Sequence, residues 1–200
     1  MRNKLPIILL ILFTIFFYSV YKEVTKSAKS KRLECQSKTT TFEKIFIENP
    51  IKEAIKSLES NNYEIKSDIK YSEFMKSHLI NILTKERSDE KLKTVIEKYL
   101  NKNSTKNLDK KILIDYYIYE NDKEDNGKKN KDAKSYAGYL MFEFKYDDKL
   151  VYKIQTDYMN IDAKDIDERM DCAINSFISI YKKGKEWNKK YLKTNTIYLK

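Results

Sequence analysis

Residues Tyr139–Tyr158 read YLMFEFKYDDKLVYKIQTDY. Leu140, Phe142, Phe144 and Tyr146 alternate with Glu143 and Lys145, and beyond Asp147-Asp148 the alternation resumes with Leu150, Tyr152, Ile154, Thr156 and Tyr158 set against Lys153, Gln155 and Asp157. A period of two puts one set on a buried face and the other in water, so the stretch predicts two antiparallel strands joined by a tight turn. The preceding alternation, Ile112, Ile114, Tyr116 and Ile118 against Leu113, Asp115, Tyr117 and Tyr119, predicts a strand with an aromatic outer face.

A helix long enough to cover such a sheet follows the hairpin. Ile166, Met170, Ala173, Ile174, Phe177, Ile178 and Tyr181 recur at helical spacing, with Asp162 as the cap, Asp165 three residues on, and Gly184 as the stop. Upstream, Phe42, Ile45, Phe46 and Ile47 form a short apolar patch, helical or extended. Asn49-Pro50 reads as cap and first residue of a helix carrying Ile51, Ala54, Ile55 and Leu58. A second helix is expected from Ser72 with Met75, Leu79, Ile82 and Leu83 on one face. A third is expected from Ser88, with Leu92, Val95, Ile96, Tyr99 and Leu100. The fold expected is therefore α+β: helices, then an antiparallel sheet of three to four strands, then a covering helix, with one N-terminal transmembrane helix.

That last element comes from Leu5 to Tyr21, LPIILLILFTIFFYSVY, which carries no charge. Its length is at the short end of a bilayer span, and Tyr18 and Tyr21 suit the interface. Phe16, Phe17, Tyr18, Val20 and Tyr21 are too large for a cleavage site, so the segment reads as a signal anchor, a cleaved signal being the alternative. Residues 1–21 are the anchor, 22–41 a polar juxtamembrane linker, 42–184 the α+β domain and 185–200 a basic tail.

Charge follows the same division. The chain of 200 residues has 40 Lys+Arg against 30 Asp+Glu, but residues 33–181 hold 26 bases and 28 acids. The excess sits in five bases within 22–32 and seven within 182–200, so the domain itself is nearly neutral. Five bases just after the apolar run favour a cytoplasmic carboxyl side. A long domain behind a short basic start is nevertheless the export pattern, and export is the orientation expected, to the periplasm or the cell exterior.

Residue chemistry excludes more than it points to. Three Gly leave little for a phosphate-cradling loop, and one His, His78, argues against a histidine metal centre or a Ser-His-Asp triad; it reads as a half-buried helix histidine. Asp122-x-Glu124-x-Asn126-Gly127 resembles the first half of a calcium loop, but Ala133 stands where the bidentate Glu belongs. No metal or other cofactor is expected, and no catalytic residue is assigned. Cys172 falls on the polar side of its helix, and in an exported domain Cys35 is the partner available for a disulfide; the alternative is two free thiols.

Three functions stay open. The first is a membrane-anchored extracytoplasmic binding or scaffold module of the envelope, held at the membrane by residues 5–21 and meeting a protein partner through Leu113, Tyr117 and Tyr119. The second is a carboxylate-based hydrolase of the envelope using Asp115. The third is a cytoplasm-facing domain whose Lys182, Lys183, Lys185, Trp187, Lys189 and Lys190 contact nucleic acid or anionic lipid.

Overall fold

A computed structural model describes residues 13–15, 17, 33–101, 109–127 and 136–195, with side chains as far as Tyr181. The chain divides into two units, residues 1–31 and 32–200. In the first, Phe13, Thr14, Ile15 and Phe17 are helical, and the rings of Phe13 and Phe17 lie 5.6 Å apart, one turn along. Among the described residues no helix is long and apolar enough to cross a membrane.

The second unit is an α+β domain built on a mixed sheet of five strands. In chain order its elements are α1 (Gln36–Thr39), β1 (Thr40–Ile45), α2 (Ile51–Glu59), β2 (Tyr63–Lys70), α3 (Lys85–Glu97), β3 (Ile112–Glu120), β4 (Gly138–Tyr146), β5 (Lys149–Tyr158) and α4 (Ile166–Asn195). The strands lie in the order β1-β5-β4-β3-β2. All neighbours are antiparallel except β2 and β3, which are parallel. A parallel pair needs a crossover, and α3 supplies it. The helices cover one face, where Ile114, Tyr116, Phe142, Phe144, Tyr152 and Ile154 meet Leu92, Ile96, Ile174 and Phe177 in a continuous buried core. The Phe177 ring stacks on Phe144 at 4.2 Å between centroids.

The hairpin turn has positive φ at both central residues, 54° at Asp147 and 58° at Asp148, the type I′ pattern that matches the twist of the flanking strands. A bulge at Lys145 shifts the β4–β5 register, so Val151 enters the core and Leu150 pairs with Lys145 on the outer side, rather than facing in. At the other end of β4, Gly138 is obligatory: a Cβ there would overlap the Tyr119 carbonyl oxygen and the Tyr158 ring.

Several elements differ from expectation. The sheet has five strands, not three or four, and is mixed rather than antiparallel. Residues 33–41, expected as the end of a linker, are part of the domain: α1 packs on α4, and β1 pairs with β5 as an edge strand. Tyr63–Lys70 is a strand, with Tyr63, Ile65 and Ile69 inward of Glu64, Lys66, Asp68 and Lys70.

The stretch from Ser72 to Leu83 is not a helix, because its backbone is claimed from elsewhere. The buried Glu120 carboxylate accepts hydrogen bonds from the N–H groups of Ser72, His78 and Leu79 and from the Ser77 hydroxyl. Donors spent on that carboxylate are not available to a helical ladder. His78 consequently lies exposed on a turn, not half-buried on a helix. The third helix begins three residues earlier than expected, since Thr84 Oγ1 accepts from Arg87 N–H and caps it. Ser88 is instead buried, its hydroxyl 2.7 Å from Tyr116 Oη. Pro50 is the residue before α2 rather than its first. Gly184 does not end the last helix, whose backbone continues to Asn195.

Candidate functional site: the open face of the sheet

Helices occupy one side of the sheet; the other carries rows of side chains set by register. One row runs Lys66, Asp115, Glu143, Lys153 and Lys44 across all five strands. The next runs Asp68, Tyr117, Met141, Gln155 and Phe42, and the third Lys70, Tyr119, Tyr139 and Asp157. Period-two alternation in each strand puts these residues opposite the core.

The first row is an ion-pair ladder. Asp115 and Glu143 are directly opposed, which two like charges disfavour. Lys145, from the neighbouring row, reconciles them: its Nζ lies 2.8 Å from Asp115 and 3.0 Å from Glu143. Lys153 completes Glu143 at 2.6 Å, and Lys66 reaches Asp115 at 3.5 Å. The Lys153 hydrogen bond holds the Glu143 carboxyl below its usual range against the opposing effect of burial. The Asp115 hydrogen bond raises Lys145.

The other two rows are aromatic and amphipathic. Tyr119 and Tyr139 stack with centroids 5.0 Å apart, and Tyr117 meets Tyr139 edge-on at 6.0 Å. Lys70 Nζ stands 5.2 Å from the Tyr117 ring centre, within cation–π range. Burial, then the Tyr117 hydrogen bond, pushes the Tyr139 phenol well above its ordinary range. Beside them Asp157 is nearly buried, and desolvation raises its carboxyl in spite of hydrogen bonds donated by Gln155 and Thr41.

Of the residues singled out from sequence, Leu113, Tyr117 and Tyr119 lie on this face, half-buried, and Asp115 lies among them. Asp115 is held by the ammonium groups of Lys66 and Lys145, and the carboxylate opposite it, Glu143, shares Lys145 with it on the sheet surface. The depression between α3 and α4, lined by Arg87, Glu90, Lys91, Thr94, Lys98 and Asp167, is open to solvent and lies on the helix side. Lys70, Tyr139, Gln155 and Asp157 are additions; the alternation in 63–70 and 139–158 marks each as outward, but only the register brings them together.

Cys35 and Cys172 form a disulfide, with Cα atoms 5.9 Å apart and a sequence separation of 137. Beside it Gln36 Nε2 donates to Ser176 Oγ at 2.9 Å, so the entering chain is fastened to α4 by a covalent bond and a buried hydrogen bond. Cys172 is on the helix face away from the sheet, yet it is buried, because α1 lies over it.

Asp122, the first residue of the calcium-loop resemblance, is spent on the N–H groups of Glu73 and Phe74, and Asp125 on that of Gly127. Among the described residues no group of three or more His, Cys, Asp or Glu is arranged to hold a metal ion. Lys182, Lys183, Lys185, Trp187, Lys189 and Lys190 follow on the backbone of α4, and their side chains fall outside the described set. Compared with protein-family models, curated proteins and solved structures, the chain matches none of them.

Proposed function

We propose that this chain is a membrane-tethered, extracytoplasmic binding module of the cell envelope that meets a protein partner on the open face of its sheet. The observation that carries the proposal is that face: three strands contribute Tyr117, Tyr119, Tyr139, Met141 and Gln155 to one surface opposite the helices, flanked by a ladder of paired charges. Tyrosines that are half-buried by their neighbours offer large contact area at little cost in side-chain entropy, and a charged margin disfavours wrong partners. The Cys35–Cys172 bridge supports the compartment, since structural disulfides persist outside the reducing cytosol. The apolar run 5–21 supports the tether.

The test is site-specific photo-crosslinking in the native cell. A benzophenone side chain at position 117 or 139 should give one discrete adduct, and the same group at Glu90 on the helix layer should not. Replacing Tyr119 with Ser should weaken the adduct formed from position 139 while leaving the circular dichroism spectrum unchanged. No adduct from either sheet position, or an equal one from position 90, rejects this face as the binding surface.

A further inference from the structure

All of β1 to β5 share two ends, and the loops at one of them are unlike the rest of the surface. At this end β2, β3 and β5 finish and β4 begins. The loop after β2 exposes Phe74 by 63% and Ile80 by 54%; the loop after β5 exposes Met159 by 49% and Ile161 by 39%. Large apolar side chains left in water on a domain of this size mark a contact.

They are also held in place there. Asp122 accepts the N–H groups of Glu73 and Phe74, Glu120 binds the following residues, and Ile80 N–H donates to Ser77 Oγ. On the second loop Asp165 accepts the N–H groups of Met159 and Asn160. Buried or half-buried carboxylates thus pin two loops that present hydrophobic tips. At the opposite end Phe46 and Ile47 are exposed to about the same degree as Ile161 and less than Phe74 or Ile80, and Lys44 Nζ covers the Phe46 ring at 4.8 Å.

The entering chain fixes which surface this end meets. It joins the domain in the same half, where Cys35 is bonded to Cys172 in the second turn of α4 and Thr40 pairs with Thr156, two residues before β5 ends. Eleven residues, 22–32, separate it from the apolar run. Eleven residues span at most roughly 40 Å, no more than the ~40 Å diameter of a domain of this size. An apolar tip held within that reach of a bilayer has lipid as its nearest apolar medium.

We infer that the loops 71–84 and 159–165 dip Phe74, Ile80, Met159 and Ile161 into the lipid interface, so that the domain sits on the membrane with the long axis of its strands upright and the open sheet face turned sideways. The inference rests on the tethered reading above. It deepens that reading by naming a second partner, the lipid surface, and an orientation.

The test uses the full chain with its one tryptophan replaced, Trp187→Phe, and a single new tryptophan at Phe74, Ile161 or Ile47. Each variant is reconstituted into phosphatidylcholine–phosphatidylglycerol vesicles whose acyl chains are brominated or not. Bromine should quench tryptophan at 74 and at 161 at least twofold and leave 47 unchanged. Carbonate washing of the same vesicles reports the tether separately. A chain that is retained but not quenched at 74 and 161 overturns this inference alone, and a chain washed off overturns it together with the tethered reading. Stronger quenching at 47 places the opposite end of the sheet against the lipid and also overturns it.

Discussion

Glu120, the last residue of β3, accepts the His78 N–H at 2.7 Å through Oε1, and through Oε2 the Ser77 hydroxyl, so one buried carboxylate takes the donors at the middle of a loop that would otherwise enter a helical ladder. Hydrogen bonds to a charged group contribute about 1.5–3 kcal/mol each, and an unmet buried donor costs a comparable amount. Glu120→Gln keeps the shape but turns one acceptor oxygen into a donor facing donors. It should destabilise the domain by about 2–4 kcal/mol in urea unfolding, with faster amide exchange confined to 72–83. A loss under ~0.5 kcal/mol would show that the loop is ordered by something else.

The disulfide closes a loop of 137 residues, a length at which cross-linking removes a large part of the unfolded chain's freedom. Cys35→Ser with Cys172→Ser should lower stability by about 4–5 kcal/mol in the chain-entropy account, and the same shift should follow treatment of the wild-type chain with a reductant. Exchange should rise first at β1, the edge strand that the bridge anchors. Identical unfolding curves for oxidised and reduced chain would contradict this.

Gly138 lies between the Tyr119 carbonyl and the Tyr158 ring, and Gly138→Ala puts a methyl group into both. Because one obstacle is backbone, the sheet itself must shift, and a cost of more than about 2 kcal/mol is expected from overpacking of this kind. Shortening Tyr158 to Leu in the same chain should not recover the loss, since the carbonyl remains. Full recovery would assign the clash to the ring alone.

The contrast between what residue patterns reveal and what they conceal is physical. Alternation in 112–118 and 139–158 named three strands, and the stripe from Ile166 to Tyr181 named the covering helix, because each element is half-buried and its period is local. β2 has the same alternation, but the polar Ser67 takes one of its inward places and interrupts the apolar set. Met75, Leu79, Ile82 and Leu83 keep a helical period although two carboxylates more than forty residues away take the N–H groups of Ser72, Glu73, Phe74, His78 and Leu79, a relation that no local window contains. Cys172 is outward by helical angle and buried by α1, since burial depends on what the rest of the chain lays over a surface. The open face was legible strand by strand as Leu113, Tyr117 and Tyr119; the rows joining them to Lys70, Tyr139 and Asp157 follow from register, which only the folded sheet defines.

Tyrosine ionisation should limit the domain at high pH. Burial, with Asp171 adding charge and a hydrogen bond, pushes Tyr99 up to about 12, and burial raises Tyr116, Tyr139 and Tyr158 further still. In the unfolded chain all four ionise near 10. The folded state therefore holds their protons more tightly, and the stability this gives is complete below pH 10 and lost as pH rises through 12 and beyond. Unfolding free energy should fall across that window, and Tyr99→Phe should flatten the part between pH 10 and 12. A profile that stays level from 9 to 12 would contradict the buried environment of these phenols.

A change at Lys145 tests the stability of the open face apart from the partner binding proposed for it. Its ammonium bridges Asp115 and Glu143, but exposed or half-exposed ion pairs contribute only about 0–1 kcal/mol, because water and salt screen them. Lys145→Met keeps the stem over the sheet and removes the charge, leaving Asp115 and Glu143 opposed across β3 and β4 with Lys66 and Lys153 as their remaining partners. The melting temperature should move by no more than a few degrees, as expected for a change of about 1 kcal/mol in a domain this size. The photo-adduct from position 117 should nevertheless weaken, and weaken more at low ionic strength, where the altered field reaches furthest. If the variant melts much earlier, the ladder holds the sheet together; if the adduct is unchanged at every salt concentration, the charged margin has no part in partner choice.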